Sequence, residues 1–184
     1  MVVGGGTFFL AIGVSFISQY ILAGIASLIV AFGLLVIVIF TGVFFDIIGV
    51  AATAAREAPL HARAAKKVRG ARQAIYLVRN ADRVASFSND VVGDICGTLS
   101  GAIGAVIVQR LIARGWSVSN EIVLATIMTA AIAGVTVGGK AWGKGLAIEW
   151  CHDIIEYIGR AIDWLEGLVG RPIIGKLEKG KKRS

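Results

Sequence analysis

The chain begins with an unbroken apolar run: from Thr7 to Phe45 no residue carries a charge. As one helix that run would measure about 58 Å at ~1.5 Å per residue, about twice the hydrocarbon core of a bilayer. Polar and small residues gather from Gln19-Tyr20 to Ser27 around Gly24, so a turn is expected there, with spans over about 3–22 and 28–55. A single long, partly interfacial helix is the alternative. Arg56-Glu57-Ala58-Pro59 closes the second span, and Pro59 suits the first turn of a new helix. Leu60, Ala64, Val68, Ala71, Ile75 and Val78 then recur at helical spacing, with Arg63, Lys66, Lys67, Arg69 and Arg72 mostly off that stripe. This predicts an amphipathic helix over about 59–82, lying along an anionic membrane surface. Further spans are expected over about 84–109 and 121–137, joined by a connector from Arg110 to Asn120 that holds Arg114, Gly115 and Trp116. The last ends in the glycine-rich TVGGKAWGKG, read as a close crossing or a break. A second amphipathic helix is expected over about 146–169, with Trp142, Trp150 and Trp164 as interfacial anchors, and a basic tail over 171–184.

The third span carries the chemistry. At 100° per residue, Ser86, Asp90, Gly93, Asp94, Gly97, Gly101 and Gly104 fall within one arc of about 100°. Val91, Val92, Ile95, Leu99, Ile103 and Val106 cover the rest. Gly93, Gly97, Gly101 and Gly104 are the expected helix-packing positions, since small residues let a neighbouring backbone approach. Asp46 lies about 15 Å in from Arg56, and Asp90 and Asp94 about 10 and 16 Å in from Arg83, so the acids share a depth. Each would cost roughly 2.5–3.5 kcal/mol facing lipid, so they are expected to face the bundle interior. Like charges gathered in low dielectric repel unless a cation sits among them, and hard cations take oxygen ligands. Asp46, Asp90, Asp94, Asn89 and Ser86 are therefore the candidate metal site. The competing reading has the acids neutral, or bonded to neighbouring helices and merely holding the bundle together.

Composition agrees with a membrane protein. Of 184 residues 56% are hydrophobic and only 17% charged, and the mean hydropathy is +0.76. The net charge of +7 comes from basic residues that flank apolar runs without interleaved aromatic platforms, which points away from nucleic acid. Lys and Arg concentrate in 56–83 and from Lys140 onward, and the 110–120 connector holds only Arg110 and Arg114. That bias puts both termini and both amphipathic helices in the cytoplasm. The apolar start has no positive n-region and outruns a signal peptide, so no cleavage is expected. Cys96 and Cys151 form no disulfide framework, Cys151-His152-Asp153 is no zinc motif, and no nucleophile–base pair argues for an enzyme.

Phe44-Phe45-Asp46, the basic 59–79 stretch, Asn80-Ala81-Asp82-Arg83-Val84-Ala85-Ser86 and Val91-Val92-Gly93-Asp94 follow one another in an order that resembles the transmembrane domain of the CorB/CorC and cyclin-M magnesium-transport family. The likeness covers about 28–170. It departs where Ala81 stands in place of the family's usual Pro, Asp94 in place of Asn and Gly49 in place of an expected Glu, and it leaves no room for the paired cytoplasmic nucleotide-binding domains.

The expectation is an all-α integral membrane protein of the bacterial inner membrane, with about four spans and two cytoplasmic amphipathic helices. It would bind, and move, a divalent cation. The resemblance implies Mg²⁺, with Na⁺ as the ion to exchange against, and a homodimer; a separate regulatory chain would stand in for the absent domains. No organic cofactor is expected. The alternative function is a non-transporting scaffold that recruits a partner or anionic lipid through its basic helices.

Overall fold

The structure, a computed structural model, describes residues 2–24, 27–115 and 121–170. The expected Trp116 end of the connector and the basic tail lie outside these. Among the described residues all regular structure is helical, as apolar runs of this length must be where no water can satisfy the backbone. In order they form α1 (Val2–Gly24), α2 (Leu28–Ala54), α3 (Glu57–Ala65), α4 (Ala71–Arg79), α5 (Ala81–Ala85), a π-helical segment (Ser86–Gly93), α6 (Asp94–Ala113), α7 (Glu121–Glu149) and α8 (Cys151–Val169). Three stretches are long and apolar enough to cross a membrane: Leu28–Ala54, Ala81–Ala113 and Glu121–Glu149.

The chain divides into two compact units. The first comprises Met1–Asp46 and Ser88–Gly143, the second Ile47–Phe87 and Lys144–Ser184. In the first unit, Ala31, Leu35, Val38 and Ile39 of α2 pack on Leu99, Ile103 and Ile107 of α6, with Met128 and Ile132 of α7 at the edge. The outward faces carry Phe8, Phe16, Ile29, Phe40, Ile127 and Val135, a greasy surface suited to lipid. Against expectation, α7 does not end at 137. It runs unbroken through TVGGKAWGKG to Glu149. A glycine costs a helix about 1 kcal/mol, whereas unpaired backbone in lipid costs several, so the helix persists.

In the second unit the expected single helix over 59–82 is split. The chain turns between α3 and α4, with Lys67 (φ 56°) and Gly70 (φ 79°) both left-handed. The reason lies across the interface. α4 crosses α8 at Gly70 and Gly159, where a Cβ on Gly159 would stand 2.4 Å from the Gly70 carbonyl oxygen. Ala51, Ala52, Ala55, Leu60, Ala74, Ile75, Leu77, Ala147, Cys151 and Ile155 form the core, much of it alanine, as close helix approach demands. Polar ties surround it. Arg63 pairs with Asp153 at 3.1 Å and with the buried Glu156, which also pairs with Arg160. The Gln73 amide donates to Asp163 at 3.0 Å and to Glu166 at 2.9 Å. The Arg56 N–H donates to His152 Nε2 at 3.2 Å.

Two outcomes follow from this packing. Gly159→Ala forces a methyl group against backbone, an overpacking cost of ~1–3 kcal/mol, and should lower the midpoint of thermal unfolding by several degrees. Gly167→Ala, with nothing within 4 Å of the added Cβ, should leave it unchanged or slightly raised. Glu57 is held below the ordinary carboxylate range first by its hydrogen bond from Arg79 and then by that from His61. A depressed acid stabilises the fold above its unfolded value and loses that contribution as pH falls through the folded one. Thermal midpoints measured from about pH 6 to about pH 3 should therefore fall less steeply in Glu57→Gln than in the native chain.

Candidate functional site

The inner face of α2 steps from Ala31 through Leu35, Val38 and Gly42 to Asp46, each buried and three or four residues from the last. Helical spacing thus carries the hydrophobic stripe straight into a carboxylate, which is 4% exposed. On α7 the corresponding face holds Met128, Ile132, Thr136, Gly139 and Lys140. Between these elements in sequence, the second membrane-length stretch, Ala81–Ala113, passes through the π-helical turns of Ser86–Gly93. Ser86, Ser88, Asn89 and Asp90 concentrate side chains that compete for backbone hydrogen bonds. The wider i→i+5 turn rotates whatever follows relative to a regular helix.

Glycines bring the three helices together. A Cβ on Gly42 would lie 2.9 Å from the Cβ of Cys96, joining α2 to α6. One on Gly139 would lie 3.1 Å from Val43 Cγ2, joining α7 to α2, and one on Gly104 would meet Ile132 of α7. At this crossing Lys140 Nζ stands 3.9 Å from Asp46 Oδ1. It also lies over bare glycine backbone, 3.4 Å from where a Cβ of Gly93 would be.

The pair is slack. A charge-assisted N–H···O bond closes to about 2.7–2.9 Å, and a buried ion pair holds its ground only when closed and fully hydrogen-bonded. Here the contact is longer, and Asp46 Oδ2 has no hydrogen-bond partner. Other buried oxygens are likewise without a hydrogen-bond partner, among them Ser18 Oγ of α1, Asn89 Oδ1, one turn before Gly93, and Thr136 Oγ1, one turn before Lys140. Thr126 and Thr129 of α7 instead donate to the carbonyls of Ile122 and Ala125, four residues back. Thr136 departs from that habit.

The expected site is therefore only partly assembled. Asp46 is buried at the helix crossing, and Asn89 is half-buried with its Oδ1 shielded. Asp90 and Asp94, expected to face the interior, are exposed in the single chain, and so is Ser86, which belongs to the second unit. No three His, Cys, Asp or Glu side chains come together among the described residues. The expected packing ladder splits in the same way. Gly93 and Gly104 meet α7, whereas Gly97 and Gly101 have open space around them. The seam with α7 runs along one edge of the small-residue arc, so its other edge, with both acids, turns outward. Of the expected surface cations, Lys66, Lys67, Arg69 and Arg72 are exposed. Arg63 is not free: it is committed to Asp153 and Glu156. Sequence reasoning missed Lys140 because it ended the fourth span at 137. Continuing α7 by one turn would have shown a lysine on the same face as Thr136.

No family model, curated protein or solved structure matches the chain.

The glycine positions separate by test. Gly42→Val drives side-chain atoms into Cys96 and should lower the thermal midpoint by several degrees, reflecting ~1–3 kcal/mol of overpacking. Gly97→Val meets open space and should leave the unfolding midpoint of the monomer within about a degree or two of the native value. Equal losses at both positions would contradict the packing described.

Proposed function

We propose that this protein is a membrane-embedded cation-binding protein of the transporter type, with a hard divalent cation, Mg²⁺ first, taken at Asp46. The observation that carries the reading is the buried Asp46 carboxylate, with one oxygen unpartnered, at a crossing of three helices that glycines hold close. Asn89 Oδ1, four residues before Gly93, and Thr136 Oγ1, four residues before Lys140, are unpartnered oxygens of the kind a hard cation prefers. The resemblance to the magnesium-transport family bears on the same residues, through Phe44-Phe45-Asp46 and the approach to Gly93.

In this reading α1 is a fourth span, and both termini lie on the cytoplasmic side of a bacterial inner membrane. A second copy of the chain covers the outward face of Asp90, Asp94, Gly97 and Gly101. Left to lipid, each of those acids would cost roughly 2.5–3.5 kcal/mol. Against a second helix the bare glycines permit close approach, and polar groups can be shared.

A second reading has its own support, in the second unit. Tyr157 and Trp164 of α8 are 67% and 66% exposed, and Leu165, Leu168, Lys66, Lys67, Arg69 and Arg72 are exposed as well. Aromatic and basic side chains of this kind suit a membrane surface, so the unit would serve to anchor a scaffold on anionic lipid.

Thermal unfolding of the detergent-purified protein across Mg²⁺, Ca²⁺, Mn²⁺ and Na⁺ titrations distinguishes the two, since a ligand of the folded state raises the midpoint by mass action. A saturable rise with the divalent ions, lost in Asp46→Asn, is the expected result. No rise with any ion, or the same rise in Asp46→Asn, would favour the scaffold.

A further inference from the structure

The ammonium of Lys140 is already where a cation at Asp46 would feel the carboxylate. It stands 3.9 Å from Oδ1, with a side chain 26% exposed against 6% for Asp46. Three features make that occupancy reversible. The pair is not closed into a hydrogen bond, so little holds Nζ in place. The α7 backbone is pinned beside it, with Gly139 against Val43, so the moving part is the side chain alone. The long lysine stem, partly exposed, can carry its charge out towards polar surroundings while its methylenes stay against apolar surface.

Two cations beside one buried carboxylate repel strongly, because the low dielectric that strengthens attraction strengthens repulsion equally. An ammonium and a divalent ion are therefore alternative occupants. We propose that Lys140 is a tethered competitor: its ammonium neutralises Asp46 while the site is free of metal, and it must swing aside for a divalent cation to bind. This rests on the reading of Asp46 as a cation seat, and adds what empties the seat. Without Lys140, the ion-free protein would leave a bare carboxylate among apolar helices, a state costly enough to retain the ion. With it, the empty site is neutralised and the ion can leave. Gly93 adjoins the device: a Cβ there would stand 3.4 Å from Nζ, in van der Waals contact with it.

The test uses the full chain in detergent, with Mg²⁺ and Ca²⁺ as probes and the midpoint titration as readout. Lys140→Met removes the charge and keeps an unbranched stem one atom shorter. Its apparent Kd should fall at least tenfold relative to the native protein, whereas Lys140→Arg, which retains the charge, should bind no tighter. Asp46→Asn/Lys140→Met should lose the response. If the native protein responds through Asp46 but Lys140→Met binds no tighter, the competitor is refuted and the cation seat stands. If no variant responds to either ion, both are refuted. Should Lys140→Met fail to fold, the native protein suffices: labelling of Lys140 by a small amine-reactive reagent, followed by mass spectrometry, should rise several-fold at saturating Mg²⁺. Labelling that stays level or falls would overturn the proposal.

Discussion

A carboxylate buried at a crossing of apolar helices is the constraint on which the first unit depends. Asp46 continues the same stripe as Ala31, Leu35, Val38 and Gly42, so helical geometry gives it no route outward. The unit accommodates it by bringing backbones close. Gly42, Gly139 and Gly93 each lie where one helix meets the next or where a charged side chain must pass. Close approach excludes competing side chains, and a single flexible lysine supplies the counter-charge. What the unit does not do is close the pair. A closed bridge would be shorter than 3.9 Å and would leave Asp46 Oδ2 with a partner.

Much of this architecture could be read from residue order, because runs of apolar residues between basic clusters have few structural solutions in or near a membrane. The end of α1 at Gly24, the end of α2 before Arg56 and the burial of Asp46 all follow from hydrophobic length and period. What could not be read depends on contacts between distant parts of the chain. The split of α3 from α4 is set by the crossing of Gly70 with Gly159, and local spacing alone, with Leu60 to Val78 in register, argued for one helix. The facing of Asp90 and Asp94 was misjudged for a related reason. Helical projection identifies an arc, but only packing decides which edge of it meets α7. Lys140 was hidden by the convention that glycine ends a helix, which holds in water far better than in lipid.

The second unit balances its charges in a different manner. Glu156 is buried between Arg63 and Arg160, and Gln73 ties two further acids of α8 to α4. These ties hold short amphipathic helices that have little apolar surface of their own to share. They also use up charges that would otherwise face outward, leaving Lys66, Lys67, Arg69 and Arg72 as the cations of the α3–α4 region that remain exposed and carry no tie of this kind.

The left-handed turn from Lys66 to Gly70 has one more consequence, for proteolysis. It offers a protease of trypsin-like specificity three basic residues on exposed, non-helical backbone, the kind of site where native chains are cut first. Because α3 and α4 each pack on α8, a cut there severs the chain without parting the helices. The nicked protein would keep its shape, and the scissile bond would report from which side of a sealed vesicle this turn can be reached.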